Sequence, residues 1–196
     1  MTEIDPMATP ATTVSVWNIA NALTMLRLAL VPFFALALLA DDGHSTAGRV
    51  TACVLFGVAS LTDRIDGELA RKRSLITEFG KLADPIADKA LTGTALVGLS
   101  VLGDLPWWVT LVVLVREVGV TMLRFWVIRH GVMAASRGGK LKTLVQAVAI
   151  GLLLLPLTGA LHTAAVAVMA VAVLLTVVTG LDYVARAVRL RRPVRA

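Results

Sequence analysis

Six apolar runs, separated by short polar breaks, fill the sequence from residue 18 to residue 188. The first reads NIANALTMLRLALVPFFALALLA; the second begins near Ala47 and continues as VTACVLFGVASLTD; the third starts near Phe79 and continues as KALTGTALVGLSVLG. The fourth is WWVTLVVLVREVGVTMLRFWVIRHG, the fifth LVQAVAIGLLLLPLTG, and the sixth runs from about His162 as AAVAVMAVAVLLTVVTGLDYVARAV. A helix needs about 20 apolar residues to cross the ~30 Å hydrocarbon core of a bilayer. With 57% hydrophobic and only 16% charged residues, and a mean hydropathy of +0.81, the 196 residues do not suit a water-soluble domain. The expectation is therefore an all-α integral membrane bundle of six transmembrane helices forming one domain over residues 18–190, with a mobile tail at 1–17 and a basic tail at 191–196.

The charges set the orientation. A formal net charge of +6 invites a nucleic-acid reading, but the basic residues cluster between apolar runs and at the C-terminus, where they suit anionic lipid headgroups, so no nucleic-acid partner is expected. Arg71, Lys72, Arg73 and Lys81 fall in the second loop, and Arg129, Arg137, Lys140 and Lys142 in or beside the fourth, whereas the third and fifth loops carry no Lys or Arg. By the positive-inside rule both termini and the second and fourth loops face the cytoplasm. Arg49, near the first loop, is the exception to that pattern. The N-terminal stretch MTEIDPMATPATTVS lacks the basic start of a signal peptide. Cys53 is the only cysteine and reads as a small buried hydrophobe.

Against this apolar background four aspartates stand out: Asp63 and Asp66 at i,i+3, then Asp84 and Asp88 at i,i+4. On helices each spacing puts its two carboxylates on one face, about 5–6 Å apart at the β-carbons. The loop KRSLITE between them is short, so the two helices are antiparallel neighbours whose aspartates converge. Carboxylates packed that closely repel unless cations fill the pocket. Oxygen ligands without nearby His or Cys suit Mg²⁺ or Mn²⁺, and ionisable groups at membrane depth point to function. The first run opens with polar residues, Asn18, Thr24 and Arg27 among them, which form either a snorkelling anchor or the wall of a headgroup site.

The spacing D-x-x-D-G-x-x-A-R-x(8)-G-x-x-x-D-x-x-x-D, matched throughout residues 63–88, resembles the signature of the CDP-alcohol phosphatidyltransferases. The resemblance implies that Asp63, Asp66 and Asp84 ligate a pair of divalent ions, and that Asp88 ligates one of them, acts as general base, or does both. It implies a polar active-site cavity on the cytoplasmic side and a CDP-linked lipid as donor. Gly67 and Gly80 would let the cytosine and ribose approach the helices, with Ala70 keeping that surface low. Arg71 would offer a fork to the diphosphate, and Thr62 would add a hydroxyl to the nucleotide wall. Arg116, Arg124, Lys140 and Lys142 would receive the phosphate of an acceptor.

The segments NIANALTMLRLALVP, FGKLADPIADK, REVGVTMLR and GGKLKTLVQ, spread over residues 18–146, resemble the bacterial phosphatidylglycerophosphate synthase branch. That branch implies transfer of a phosphatidyl group from CDP-diacylglycerol to sn-glycerol 3-phosphate with release of CMP, in the bacterial inner membrane, by a homodimer. Arg64 and the long polar N-terminal tail depart from its pattern. Other acceptors within the family, such as inositol phosphate or phosphatidylglycerol, are the neighbouring alternatives, and a divalent-cation transporter is the alternative from another class.

Overall fold

The structure, a computed structural model, describes residues 18–72, 77–127 and 137–191; among these, the side chains at 20, 64–72, 78, 79, 81, 82, 124–127, 137, 190 and 191 are not described. Among the described residues there are six α-helices and no strand: α1 (Ile19–Leu39), α2 (Thr46–Lys72), α3 (Glu78–Val101), α4 (Trp107–Val127), α5 (Arg137–Leu154) and α6 (Gly159–Arg191).

Local chemistry explains where several of them begin and end. Asn18 caps α1, its Oδ1 accepting the Asn21 N–H at 3.0 Å, and Thr77 caps α3, its Oγ1 accepting the Gly80 N–H at 3.0 Å. The chain leaves α1 through a turn in which Asp41, Asp42 and Gly43 all have positive φ (54°, 48° and 74°), a left-handed run that Asp and Gly tolerate best. Pro85 falls in the third turn of α3, later than the first-turn position at which proline costs nothing, and the helix continues through it.

Helix α1 packs on α2 and α3, α5 on α2 and α6, and α4 on α3 and α6. The apolar core lies in one half of this up-and-down bundle. It is built from Phe34, Leu38, Phe56, Leu96, Leu99, Val113, Ile150, Leu154 and Met169, with the Phe34 and Phe56 rings 6.1 Å apart. Arg49, in the first turn of α2, closes that end: its Nε donates to Gly43 O at 3.0 Å, its NH1 to Leu153 O at 3.2 Å, and its NH2 pairs with Asp104. One guanidinium thus ties the start of α2 to the turn after α1, the end of α5 and the α3–α4 connection.

The outer surface of the bundle is unlike that of a water-soluble protein. Leu36 and Val115 are 71% and 69% exposed, whereas Arg27 and Lys142 are 1% and 2% exposed. Apolar side chains directed outward in such numbers match a hydrocarbon solvent better than water. Two stretches, Asn21–Gly43 and Gly159–Arg189, are long and apolar enough to cross a membrane by length and composition. The helices between them, together with Arg27 on α1, carry the ionisable groups described next.

Candidate active site

The half of the bundle away from the core is polar, and α1 supplies its first wall. Asn21, Thr24 and Arg27 recur every three residues, so they share one face, and all three are buried. Each reaches a different part of the aspartate region. The Asn21 amide donates to Thr77 Oγ1 at 2.9 Å, Thr24 Oγ1 donates to Asp84 Oδ1 at 2.5 Å, and Arg27 NH1 pairs with Asp63 Oδ1 at 2.5 Å. Arg27 therefore points into the bundle, which excludes the snorkelling alternative. Gly80 has a packing role here: a β-carbon at that position would lie 2.8 Å from Asn21 Oδ1, so any larger residue would push Asn21 out of its place against α3.

The opposite wall comes from α4, α5 and α6. Glu117 Oε1 accepts from Lys142 Nζ and, at 3.1 Å, from Arg116 NH1. Arg116 also donates through NH2 to Thr179 Oγ1 at 3.0 Å and lies 5.9 Å from the centroid of the Tyr183 ring. The same side chain explains Gly180, where a β-carbon would meet Arg116 Cγ at 3.2 Å. Arg116 thus joins α4 to α6 behind Glu117, and Lys142 joins α5 to α4.

Between the walls is a cavity of about 250 Å³. Asp63, Asp88, Arg27, Lys89, Glu117, Lys142 and Gln146 contribute its polar lining, over a floor that includes Phe56, Leu91, Leu114 and Ile150. Carboxylates and ammonium groups thus meet in one pocket on a hydrophobic base. Asp84 is not part of this lining; Thr24 holds it through a hydrogen bond. Among the described residues no group of three or more His, Cys, Asp or Glu is placed to hold a metal by itself. The side chains of Asp66, Gly67, Ala70, Arg71 and Arg124 lie outside the described residues. Asn18 serves as a helix cap, Thr62 donates to Val58 O of its own helix at 2.7 Å, and Lys140 is exposed and apart from the cavity lining.

Among the cavity residues absent from the sequence-based site are two charged ones, Glu117 and Lys89, and the amide Gln146. Glu117 had a legible signal, an acid inside an apolar run. Gln146 had a weaker one, a place one helical turn after Lys142. The position of Lys89 at the cavity depends on how α3 is turned against α1 and α4, which its adjacency to Asp88 does not fix.

A family model described as CDP-alcohol phosphatidyltransferase matches residues 17–178. Over 172 residues the chain is 64% identical to a Mycobacterium tuberculosis (strain ATCC 25618 / H37Rv) protein named probable phosphatidylglycerophosphate synthase, covering 88% of this chain and 82% of that one. It is 39% identical over 180 residues to the CDP-diacylglycerol--glycerol-3-phosphate 3-phosphatidyltransferase of Bacillus subtilis (strain 168), covering 85% and 93% of the two chains. With the Escherichia coli (strain K12) protein of the same name it shares 37% over 177 residues, covering 87% and 95%. The aspartate spacing, the polar end of the helical bundle and these matches lead to one conclusion: the chain belongs to the CDP-alcohol phosphatidyltransferase family.

Proposed function

We propose that this cavity transfers the phosphatidyl group of CDP-diacylglycerol to sn-glycerol 3-phosphate, giving phosphatidylglycerophosphate and CMP. The observation that carries the reading is the meeting of Asp63 and Asp88 with Lys142 and Arg27 in a single pocket at one end of an apolar bundle. Transfer between two anionic substrates at a membrane needs both signs of charge in one place, and the names of the relatives supply the substrates.

Asp88 accepts the proton of the attacking 1-hydroxyl. Thr24 and Arg27 hold Asp84 and Asp63 in position through their hydrogen bond and ion pair. The carboxylate donor set, without His or Cys, suits a hard divalent ion, so Asp63, Asp66, Asp84 and Asp88 would hold two Mg²⁺ or Mn²⁺ ions. When bound, such ions stabilise charge on the phosphoryl oxygens and on departing CMP. Gly67, Ala70 and Arg71 border the nucleotide, and Lys142 receives the acceptor phosphate with support from Arg124. The acyl chains remain in the bilayer between helices.

In the same reading all six helices span a bacterial inner membrane, the protein is a homodimer, and both termini and the cavity face the cytoplasm. Exposed apolar residues on every helix support the spans. Arg49, the exception to the positive-inside pattern, is paired with Asp104.

The test is transfer from radiolabelled CDP-diacylglycerol by purified protein, with a panel of acceptors and divalent ions. Expected is phosphatidylglycerophosphate from sn-glycerol 3-phosphate, dependent on Mg²⁺ or Mn²⁺. Preferential use of inositol phosphate or phosphatidylglycerol would overturn the acceptor assignment. Divalent-ion flux into proteoliposomes without CDP-lipid turnover would overturn the enzyme reading itself.

A further inference from the structure

Gln146 is the least explained polar residue of the cavity. It is 4% exposed, it lines the pocket, and its Oε1 has no hydrogen-bond partner among the described residues. Buried amide oxygens are nearly always paired, and an unpaired one in a side chain that lines a binding cavity is an acceptor awaiting a donor. Its surroundings identify the donor. On α5, Gln146 follows Lys142 by four residues, which sets their side chains side by side, about 5–6 Å apart at the β-carbons. Lys142 is equally buried and already engaged with a carboxylate, that of Glu117. Thr143, also in the lining, donates its hydroxyl to Gly139 O at 3.1 Å. Helix α5 therefore carries a cation for an anionic group and, one turn on, an unpaired acceptor for a hydroxyl. A small phosphomonoester with a hydroxyl next to its phosphate-bearing carbon fits that pair.

We propose that Gln146 reads the non-reacting hydroxyl of the acceptor: its Oε1 accepts a hydrogen bond from the 2-hydroxyl of sn-glycerol 3-phosphate while Lys142 holds the phosphate. The assignment rests on the acceptor named under the proposed function and adds a specificity-determining residue to it. Because the hydroxyl that attacks is the 1-hydroxyl, Gln146 takes no part in proton transfer; it acts on acceptor choice and placement. A site that hydrogen-bonds a substrate hydroxyl rejects an analogue lacking it, since the buried acceptor is then left unpaired.

The experiment compares two acceptors, sn-glycerol 3-phosphate and 3-hydroxypropyl phosphate, the same chain without the 2-hydroxyl, on the wild type and on Gln146→Leu and Gln146→Glu. The wild type should prefer the natural acceptor in kcat/KM. In Gln146→Leu the preference should collapse by about 10- to 100-fold, mostly through a raised KM for sn-glycerol 3-phosphate, with the KM for CDP-diacylglycerol unchanged. Gln146→Glu retains an acceptor oxygen but adds negative charge near the phosphate, so it should weaken both acceptors while keeping the preference. The ligand-free Leu variant should melt at or above the wild-type temperature, because an unpaired buried polar group is replaced by an apolar one of similar size. Unchanged preference in Gln146→Leu, or equal loss on both acceptors, would overturn the inference and assign the amide to an ordered water or to packing. Those outcomes leave wild-type transfer intact, whereas a wild type that uses neither acceptor would instead remove the proposed function on which the inference stands.

Discussion

Each end of the bundle holds an arginine–aspartate pair, Arg27 with Asp63 at the polar end and Arg49 with Asp104 at the other. In both, the arginine is the more buried partner. The difference lies in what surrounds them. Arg49 divides its guanidinium between Asp104 and two backbone carbonyls that helix ends leave without partners, so its pair completes a joint. Asp63 instead faces the cavity with its side chain 41% exposed, beside Asp88 in the same lining. The same two residue types thus make a structural clamp where the arginine also binds two backbone carbonyls, and part of a site where the acid opens onto a pocket.

Substitutions can break this contrast in graded steps. The largest expected effect is at the open end: Asp63→Asn or Asp84→Asn should reduce transfer by about 10³-fold or more while the protein still inserts and folds. CMP release close to the wild-type rate from either variant would remove the aspartates from the chemistry. At the closed end Arg49→Met should cost stability by about 3–5 kcal/mol, since it strands Asp104 and two carbonyls, while the folded fraction keeps its KM for both substrates. Arg49→Met with Asp104→Leu should recover part of that loss; a melting temperature equal to that of the single variant would contradict the clamp.

Smaller effects sharpen the comparison. Glu117→Gln leaves Lys142 without its counter-charge and removes a negative group beside the acceptor phosphate. Inorganic phosphate should then protect the protein against heat at about tenfold lower concentration, equivalent to ~1.4 kcal/mol. An unchanged or higher protecting concentration would show that Glu117 does not compete with anions for Lys142. Gly80→Ala should destabilise by about 1–3 kcal/mol through the clash with Asn21 Oδ1, and Asn21→Ala in the same chain should relieve it, both read from melting temperature. Arg186→Ala, which breaks an exposed i,i+4 pair with Asp182 near the end of α6, should leave the melting temperature unchanged.

Much of the helical layout is readable because it depends on local rules. The apolar runs match helices α1 to α6, the short loops make neighbours antiparallel, and the three-residue spacing of Asn21, Thr24 and Arg27 puts them on one face. The partners of that face are not readable. Arg27 meets Asp63 across 36 positions and Thr24 meets Asp84 across 60, and no periodicity within α1 names a residue on α2 or α3. The same reason applies to the acceptor side. Arg116 and Lys142 are equally plausible phosphate ligands as sequence, yet Arg116 is committed to Thr179 and the Tyr183 ring on α6 while Lys142 lines the cavity.

By itself, the sequence determined an apolar helical chain, the two aspartate pairs with their spacing, and the family those pairs indicate, because each follows from residue type and local separation. Only the tertiary structure decided which charges are joined. It turned Arg27 inward onto Asp63, set Arg49 against Asp104 at the far end, gave Lys142 to Glu117 and left the oxygen of Gln146, a cavity-lining residue, without a partner among the described residues. These outcomes depend on how helices distant in sequence are rotated against one another, and that rotation is fixed by packing across the whole bundle.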